Sequence, residues 1–156
     1  MIDPDSRMLP DKGFDTTVLH KKDIALFTSL CQFVWVQGES LPLIYEIENE
    51  IYTKHGINLT ALKRLEAIGL IALESAGYVK RKFGKHTRLF YYGKPTKIQF
   101  PHAMNNQLDL GHVLLTDWGK SLATACNAKR NQEYYEYVIE RWFRQGMVVS
   151  SILARR

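Results

Sequence analysis

Seven cations stand between Gly77 and Lys97: Lys80, Arg81, Lys82, Lys85, Arg88, Lys94 and Lys97. No Asp or Glu interrupts them. Setting these seven aside from the 21 Lys and Arg leaves 14 against 16 acids, so the formal charge of +5 is confined to this stretch. A short acid-free run of Lys and Arg is the residue pattern that attracts a polyanion. A second candidate lies upstream, on a helix capped by Asn58 or Thr60. Ala61, Leu62, Leu65 and Ile68 fall on one of its faces, and Thr60, Lys63, Arg64 and Ala67 fall on the other. The Arg64 fork suits a bidentate contact with a guanine edge, whereas Lys63 suits phosphate. Lys80, Arg81, Lys82, Lys85, His86 and Arg88 would then touch backbone or minor groove and set register. For both groups the plain alternative is a solvated, solubilising face.

Other chemistry is thinly supported. His20, His55, His86, His102 and His112 are scattered, and no pair has helical metal-ligand spacing. Cys31 and Cys126 make no C-x-x-C and read as small buried hydrophobes in a reducing compartment. There is no G-x-S-x-G, phosphate-binding loop or dinucleotide fingerprint. Glu39, Glu46, Glu48 and Glu50 suggest a solvated acidic edge before a cation site. No catalytic residue, metal or cofactor is expected, and the chain reads as a non-enzymatic binding domain. Its partner is double-stranded DNA or, alternatively, another protein. The aromatics Tyr134, Tyr135, Tyr137, Trp142 and Phe143 exceed one buried stripe, which points to a partner contact or a homodimer seam.

These residues must be carried by a chain of 156 residues, long enough for one domain with its own core. Apolar residues make up 46%, the ordinary globular share. No apolar run reaches the roughly 18 residues of a membrane span, and the N-terminus lacks a signal-peptide layout. A cytoplasmic location is the default. Residues 1–20 read as a flexible lead, 21–127 as the domain, and 128–156 as an aromatic helix with an apolar tail.

Along the domain, Ile24, Phe27, Leu30, Cys31, Val34 and Trp35 recur at helical spacing after Asp23, up to Gly38. Leu41–Ile47 is a short strand or helix start, and Glu48–His55 is helical. The capped helix from Asn58 stops at Gly69. Leu70–Leu73 suits a strand. Gly77–Phe100 reads as two or three antiparallel strands, with turns at Gly84 and Gly93. Pro101–Asp109 is a polar loop, and Gly111–Leu115 a further strand. Thr116 caps one helix, and another runs from about Gln132 to Arg144.

Helix, short extended piece, two helices and a basic hairpin is the order of a winged helix-turn-helix, so the expected class is α+β: three helices with an antiparallel β-hairpin wing, then two C-terminal helices. Leu62-Lys63-Arg64-Leu65-Glu66-Ala67-Ile68-Gly69-Leu70-Ile71 resembles the recognition-helix exit of winged-helix regulators. Leu115-Thr116-Asp117-Trp118-Gly119-Lys120-Ser121-Leu122 resembles the segment after the wing in the multiple-antibiotic-resistance type. There Thr caps the helix and Gly permits close packing. From about Leu19 to Trp142 the chain also resembles a bacterial domain-of-unknown-function family. The carrying strings are Lys21-Lys22-Asp23, Leu26-Phe27, Leu30-Cys31, Ile51-Tyr52-Thr53-Lys54-His55-Gly56-Ile57-Asn58, Tyr91-Tyr92-Gly93-Lys94-Pro95 and Leu114-Leu115-Thr116. The resemblance implies a longer region ahead of this domain in family members, and brings no activity with it.

Overall fold

The computed structural model of the chain describes residues 19–151. Nearly all of the expected N-terminal lead, and tail residues 152–156, lie outside the described residues. Helix α1 (Lys21–Cys31) leads into the hairpin β1 (Val34–Gln37) and β2 (Glu39–Pro42). A single turn, α2 (Glu50–Thr53), precedes α3 (Leu59–Ile68). Four strands follow: β3 (Ile71–Phe83), β4 (His86–Tyr91), β5 (Lys94–Gln99) and β6 (Asn106–Leu115). Helices α4 (Asp117–Ala125) and α5 (Gln132–Arg144) and a last strand, β7 (Val148–Ser151), complete the order.

Local chemistry accounts for most element ends. Asn58 Oδ1 accepts from the Ala61 N–H at 2.9 Å and opens α3. Thr116 Oγ1 accepts from the Gly119 N–H at 3.1 Å and opens α4. Asn131 Oδ1 accepts from the Tyr134 N–H at 3.0 Å and opens α5. Each cap satisfies a donor that the first helical turn leaves without a partner. Gly69 ends α3 with φ +101°, the left-handed conformation that only glycine adopts without strain.

The first helix is shorter than its apolar spacing suggested. It stops at Cys31, and Val34 and Trp35 lie in β1. Phe33 and Trp35 are buried while Val34 and Val36 face outward, a period of two that helical spacing had masked. Asp23 does not cap α1; His20 occupies that position, and Asp23 is buried one turn inside.

The winged-helix expectation is overturned by strand pairing. A wing requires the strand after α3 to pair with its immediate successor. Here β3 pairs antiparallel with β6, from Ile71 opposite Leu115 to Phe83 opposite Asn106. The β4–β5 hairpin between them belongs to a separate five-stranded antiparallel sheet of order β2-β1-β4-β5-β7. The cause is the Tyr92-Gly93 turn. Both residues have positive φ (52° and 76°), the requirement of a two-residue type I′ turn, so β4 and β5 close on each other. The architecture is α+β: five helices, a five-stranded sheet and a two-stranded ribbon among the described residues.

Ribbon and sheet meet at Gly111. Its φ is +80°, and an added Cβ would stand 2.4 Å from the Ile44 carbonyl oxygen. The His112 N–H donates to that same oxygen at 3.0 Å. A second tight contact seats α4: a Cβ on Gly119 would lie 2.1 Å from the Leu70 carbonyl oxygen.

The inner face of the five-stranded sheet carries Trp35, Leu41, Leu89, Tyr91, Thr96 and Ile98, all buried. Helix α5 covers it with Tyr134, Val138 and Trp142, each fully buried. Each large aromatic removes roughly 150–250 Å² from water, about 4–6 kcal/mol of gross burial at about 25 cal/mol per Å². The segment 128–151 is therefore integral to the same core as the rest of the chain.

Two outcomes follow. Gly119→Ala should lower the unfolding free energy by about 1–3 kcal/mol through overpacking against backbone, while Gly84→Ala, with open space around it, stays near wild type; urea denaturation reads both. Tyr134→Phe should cost about 1–3 kcal/mol, because the Trp35 Nε1–H loses its buried partner, while the Leu43 carbonyl keeps the Tyr52 hydroxyl. Equal stability of this variant and wild type would remove the buried network from the account.

Candidate nucleic-acid interface

The type I′ turn fixes β4 against β5 so that Tyr91 faces Lys94, Phe90 faces Pro95 and Arg88 faces Lys97. Directly opposed residues share a face. Leu89, Tyr91, Thr96 and Ile98 point into the core, so Arg88, Lys97, His86, Phe90 and Gln99 point the other way. The same face continues through Val36 and Ser40, where the end of α4 approaches it, on one side and through Ser150 and Val148 on the other. No acid stands on it among the described residues. Arg88 and Lys97 are thus two cations in direct cross-strand opposition. Neither belongs to an ion pair among the described residues.

Arg81 and Lys82 lie where the ribbon ends and the chain crosses to β4. The register passes from Lys80 opposite Leu108 to Phe83 opposite Asn106, which leaves one extra residue on β3. Lys82 takes φ +66° in this bulge. Bulges of this kind bend a strand and re-aim its side chains, and both cations here are exposed. Buried Asn106 holds the crossing in place. Its side-chain amide donates to the Gly84 and His102 carbonyls, each at 2.9 Å, and its oxygen accepts from the His102 N–H at 3.1 Å.

Other predicted contacts have internal partners. The Lys80 ammonium donates to Gln37 Oε1 at 2.6 Å and lies 3.7 Å from Glu39. Lys120 meets the same Glu39 at 2.8 Å, and this contact is the main reason the Glu39 carboxyl sits below its ordinary pKa. Lys85 donates to the Pro101 carbonyl at 3.4 Å. His86 and Arg88 are exposed.

On α3, Thr60 and Lys63 are exposed. Arg64, the predicted reader of base edges, is engaged by Asp23 instead. Its Nε and Nη2 donate to the two carboxylate oxygens at 2.9 and 2.8 Å. That fork joins α3 to α1 and holds the Asp23 carboxyl below its ordinary value. Nor does α3 adjoin the cationic crossing. Arg81 is ten residues beyond Ile71 on β3, about 30 Å along an extended strand.

The aromatic residues predicted as a partner seam divide. Tyr134 and Trp142 are buried in the chain's own core, Tyr135 and Tyr137 are half-buried, and Phe143 is 68% exposed. The surplus of aromatics is absorbed because α5 touches the sheet on one flank and Tyr45 and Tyr52 on the other. Lys97 was absent from the predicted site. The Tyr92-Gly93 turn was the signal for it, since a two-residue turn places residue 97 opposite residue 88.

The sequence model of a family described as a protein of unknown function (DUF2806) matches residues 16–139. The chain belongs to this family. The DUF2806 match runs from before α1 into α5 and takes in α3, the ribbon and the β4–β5 hairpin. No curated protein and no solved structure matches the chain. Among the described residues no group of His, Cys, Asp and Glu is placed to hold a metal ion, and no helix is long and apolar enough to cross a membrane.

The Asp23–Arg64 pair carries a pH signature. A carboxyl whose folded pKa is depressed contributes stability above its unfolded pKa of about 3.9, lost as pH falls through the folded value. Wild type should therefore melt above Asp23→Asn at pH 6, and the gap should narrow below about pH 4. A gap that is constant from pH 6 to pH 2.5 would remove the ionised pair as its source.

Proposed function

We propose that this DUF2806 domain binds nucleic acid, with the open face of the five-stranded sheet against the phosphate backbone. The supporting observation is the cross-strand opposition of Arg88 and Lys97 on a face that carries no acid among the described residues. Like charges placed directly opposite destabilise a sheet by roughly 0.2–1 kcal/mol. A phosphate bridging them removes that repulsion and gains two charge-assisted hydrogen bonds. His86 and Gln99 add donors on the same face. Phe90, 38% exposed between Arg88 and the turn, offers a surface for base stacking. Arg81 and Lys82 extend the cationic track at the crossing.

With its fork on Asp23, Arg64 leaves α3 without a reader of base edges, so recognition is of backbone and shape. Thr60 and Lys63 are at most secondary contacts. The reading assigns the domain no catalytic step and no cofactor. Contact with another protein or a second copy remains the alternative, favoured by one observation: Phe143 and Val148 are exposed apolar side chains, 68% and 57% accessible, at the α5–β7 end.

Fluorescence anisotropy with a random duplex and a random single strand, each across a salt series, separates these readings. Backbone binding predicts log affinity falling with log salt at about −0.9 per duplex phosphate contacted. Arg88→Ala with Lys97→Ala should shallow the duplex slope by about 1.8, and Lys63→Ala by far less. Lys97→Glu should raise the stability of the free protein by a few tenths of a kcal/mol (about 0.2–1 is the range for cross-strand pairs) and remove binding. Wild-type affinity in Lys97→Glu would sink the proposal. Salt-resistant dimers with no nucleic-acid affinity would favour the alternative.

A further inference from the structure

Cys31 ends α1 and Cys126 caps the end of α4, 95 positions apart in sequence, yet their sulfurs are 3.0 Å apart. Both are free thiols. The two differ in environment. Cys31 is 6% exposed, whereas Cys126 is half-buried. Both line an open groove of about 280 Å³ between the end of α4 and the sheet, with Val36, Phe90, Tyr92 and Ala128 among its other walls. A small molecule in that groove reaches the Cys126 sulfur before that of Cys31.

The electrostatics follow the same asymmetry. The Cys31 thiol donates to Cys126 Sγ, and this hydrogen bond pulls the Cys126 thiol below its ordinary pKa. Contact with that sulfur, together with burial, pushes Cys31 upward. The thiolate is the nucleophile in disulfide exchange, and an attacking thiol works best with a pKa near ambient pH. Cys126 is shifted toward that condition and Cys31 away from it.

We propose that Cys31 and Cys126 are a reversible dithiol–disulfide pair, oxidised by low-molecular-weight disulfides that enter the groove at Cys126. In the first step the Cys126 thiolate attacks one sulfur of the oxidant disulfide. The oxidant S–S bond breaks, a mixed disulfide forms on Cys126, and one thiolate departs. Cys31 then gives up its proton and attacks Cys126 Sγ, forming the intramolecular bond and expelling the second thiolate. Two protein thiols are oxidised and one disulfide is reduced to two thiols, which take up the two protons. The sulfurs need to close only from 3.0 Å to the roughly 2.05 Å of a disulfide. The bond ties the end of α1 to the end of α4 and restricts the unfolded chain, so the oxidised protein melts higher.

The test incubates the full chain with oxidised glutathione under native conditions, alkylates remaining thiols after denaturation, and reads intact mass. Wild type should lose two hydrogens, carry no glutathione and take up no alkylating reagent, with a raised melting temperature that reductant reverses. Cys31→Ser should stop at a single glutathione adduct, and Cys126→Ser should remain largely unmodified. Should either variant fail to fold, the wild-type mass and melting shift still decide. Two alkylated thiols in wild type, a stable glutathione adduct, or a disulfide-linked dimer would overturn the proposal.

Discussion

Trp35 on β1 is stacked against Tyr91 and Tyr135, meets Trp142 edge-on, and donates its indole N–H to the Tyr134 hydroxyl at 3.0 Å. That hydroxyl in turn lies 2.8 Å from the Leu43 carbonyl and 3.1 Å from that of Phe33, its single proton serving the pair. One contact thus welds α5, β1, β4 and the segment after β2. It also settles which side of the five-stranded sheet is dry. Strand side chains alternate, so once Trp35 and Tyr91 are committed inward, Val36, Phe90 and Arg88 have no choice but to face outward. The open cationic face is a consequence of aromatic packing on the opposite side.

The electrostatic organisation divides along the same line. Several cations away from this face are paired with neighbouring acids. Lys80 and Lys120 converge on Glu39, Arg141 reaches Asp109, and Arg64 clasps Asp23. Arg88 and Lys97 stand on the outer face with no such neighbour among the described residues. A charge count along the chain treats Lys80 and Arg88 alike. Geometry separates a structural cation from one that is free to meet a ligand, and Arg64 is the clearest case. Its planar fork suits a carboxylate as well as a guanine, and a buried carboxylate lies within reach.

The groove beneath the end of α4 borrows part of its wall, Val36 and Phe90, from this same outer face. The thiol pair and the sheet surface are therefore neighbours built by one arrangement: α4 leans on Leu70 through Gly119 and brings its C-cap, Cys126, to the end of α1. Gly119 matters to both because any side chain there would push α4 off the Leu70 carbonyl.

What could be read from sequence was local. The Thr116 cap, the cap of α3 (Asn58 of the two candidates Asn58 and Thr60), the left-handed end at Gly69 and the span of α5 each depend on residues within a turn of one another, and each stands in the structure as expected. The cationic run was legible for the same reason, since contiguity is a property of the chain. Strand partnership was not. Nothing in Ile71–Phe83 states that its partner begins 23 residues later at Asn106, and a basic hairpin following a helix looks like a wing until that pairing is known. The proximity of Cys31 and Cys126 and the capture of Arg64 by Asp23 are likewise contacts between segments, and which face of the β4–β5 hairpin stays uncovered depends on the packing of α5. Short-range rules mark caps and tight turns. Which elements touch is decided by the collective burial of apolar faces, and so only the folded chain determines which charges and thiols remain available.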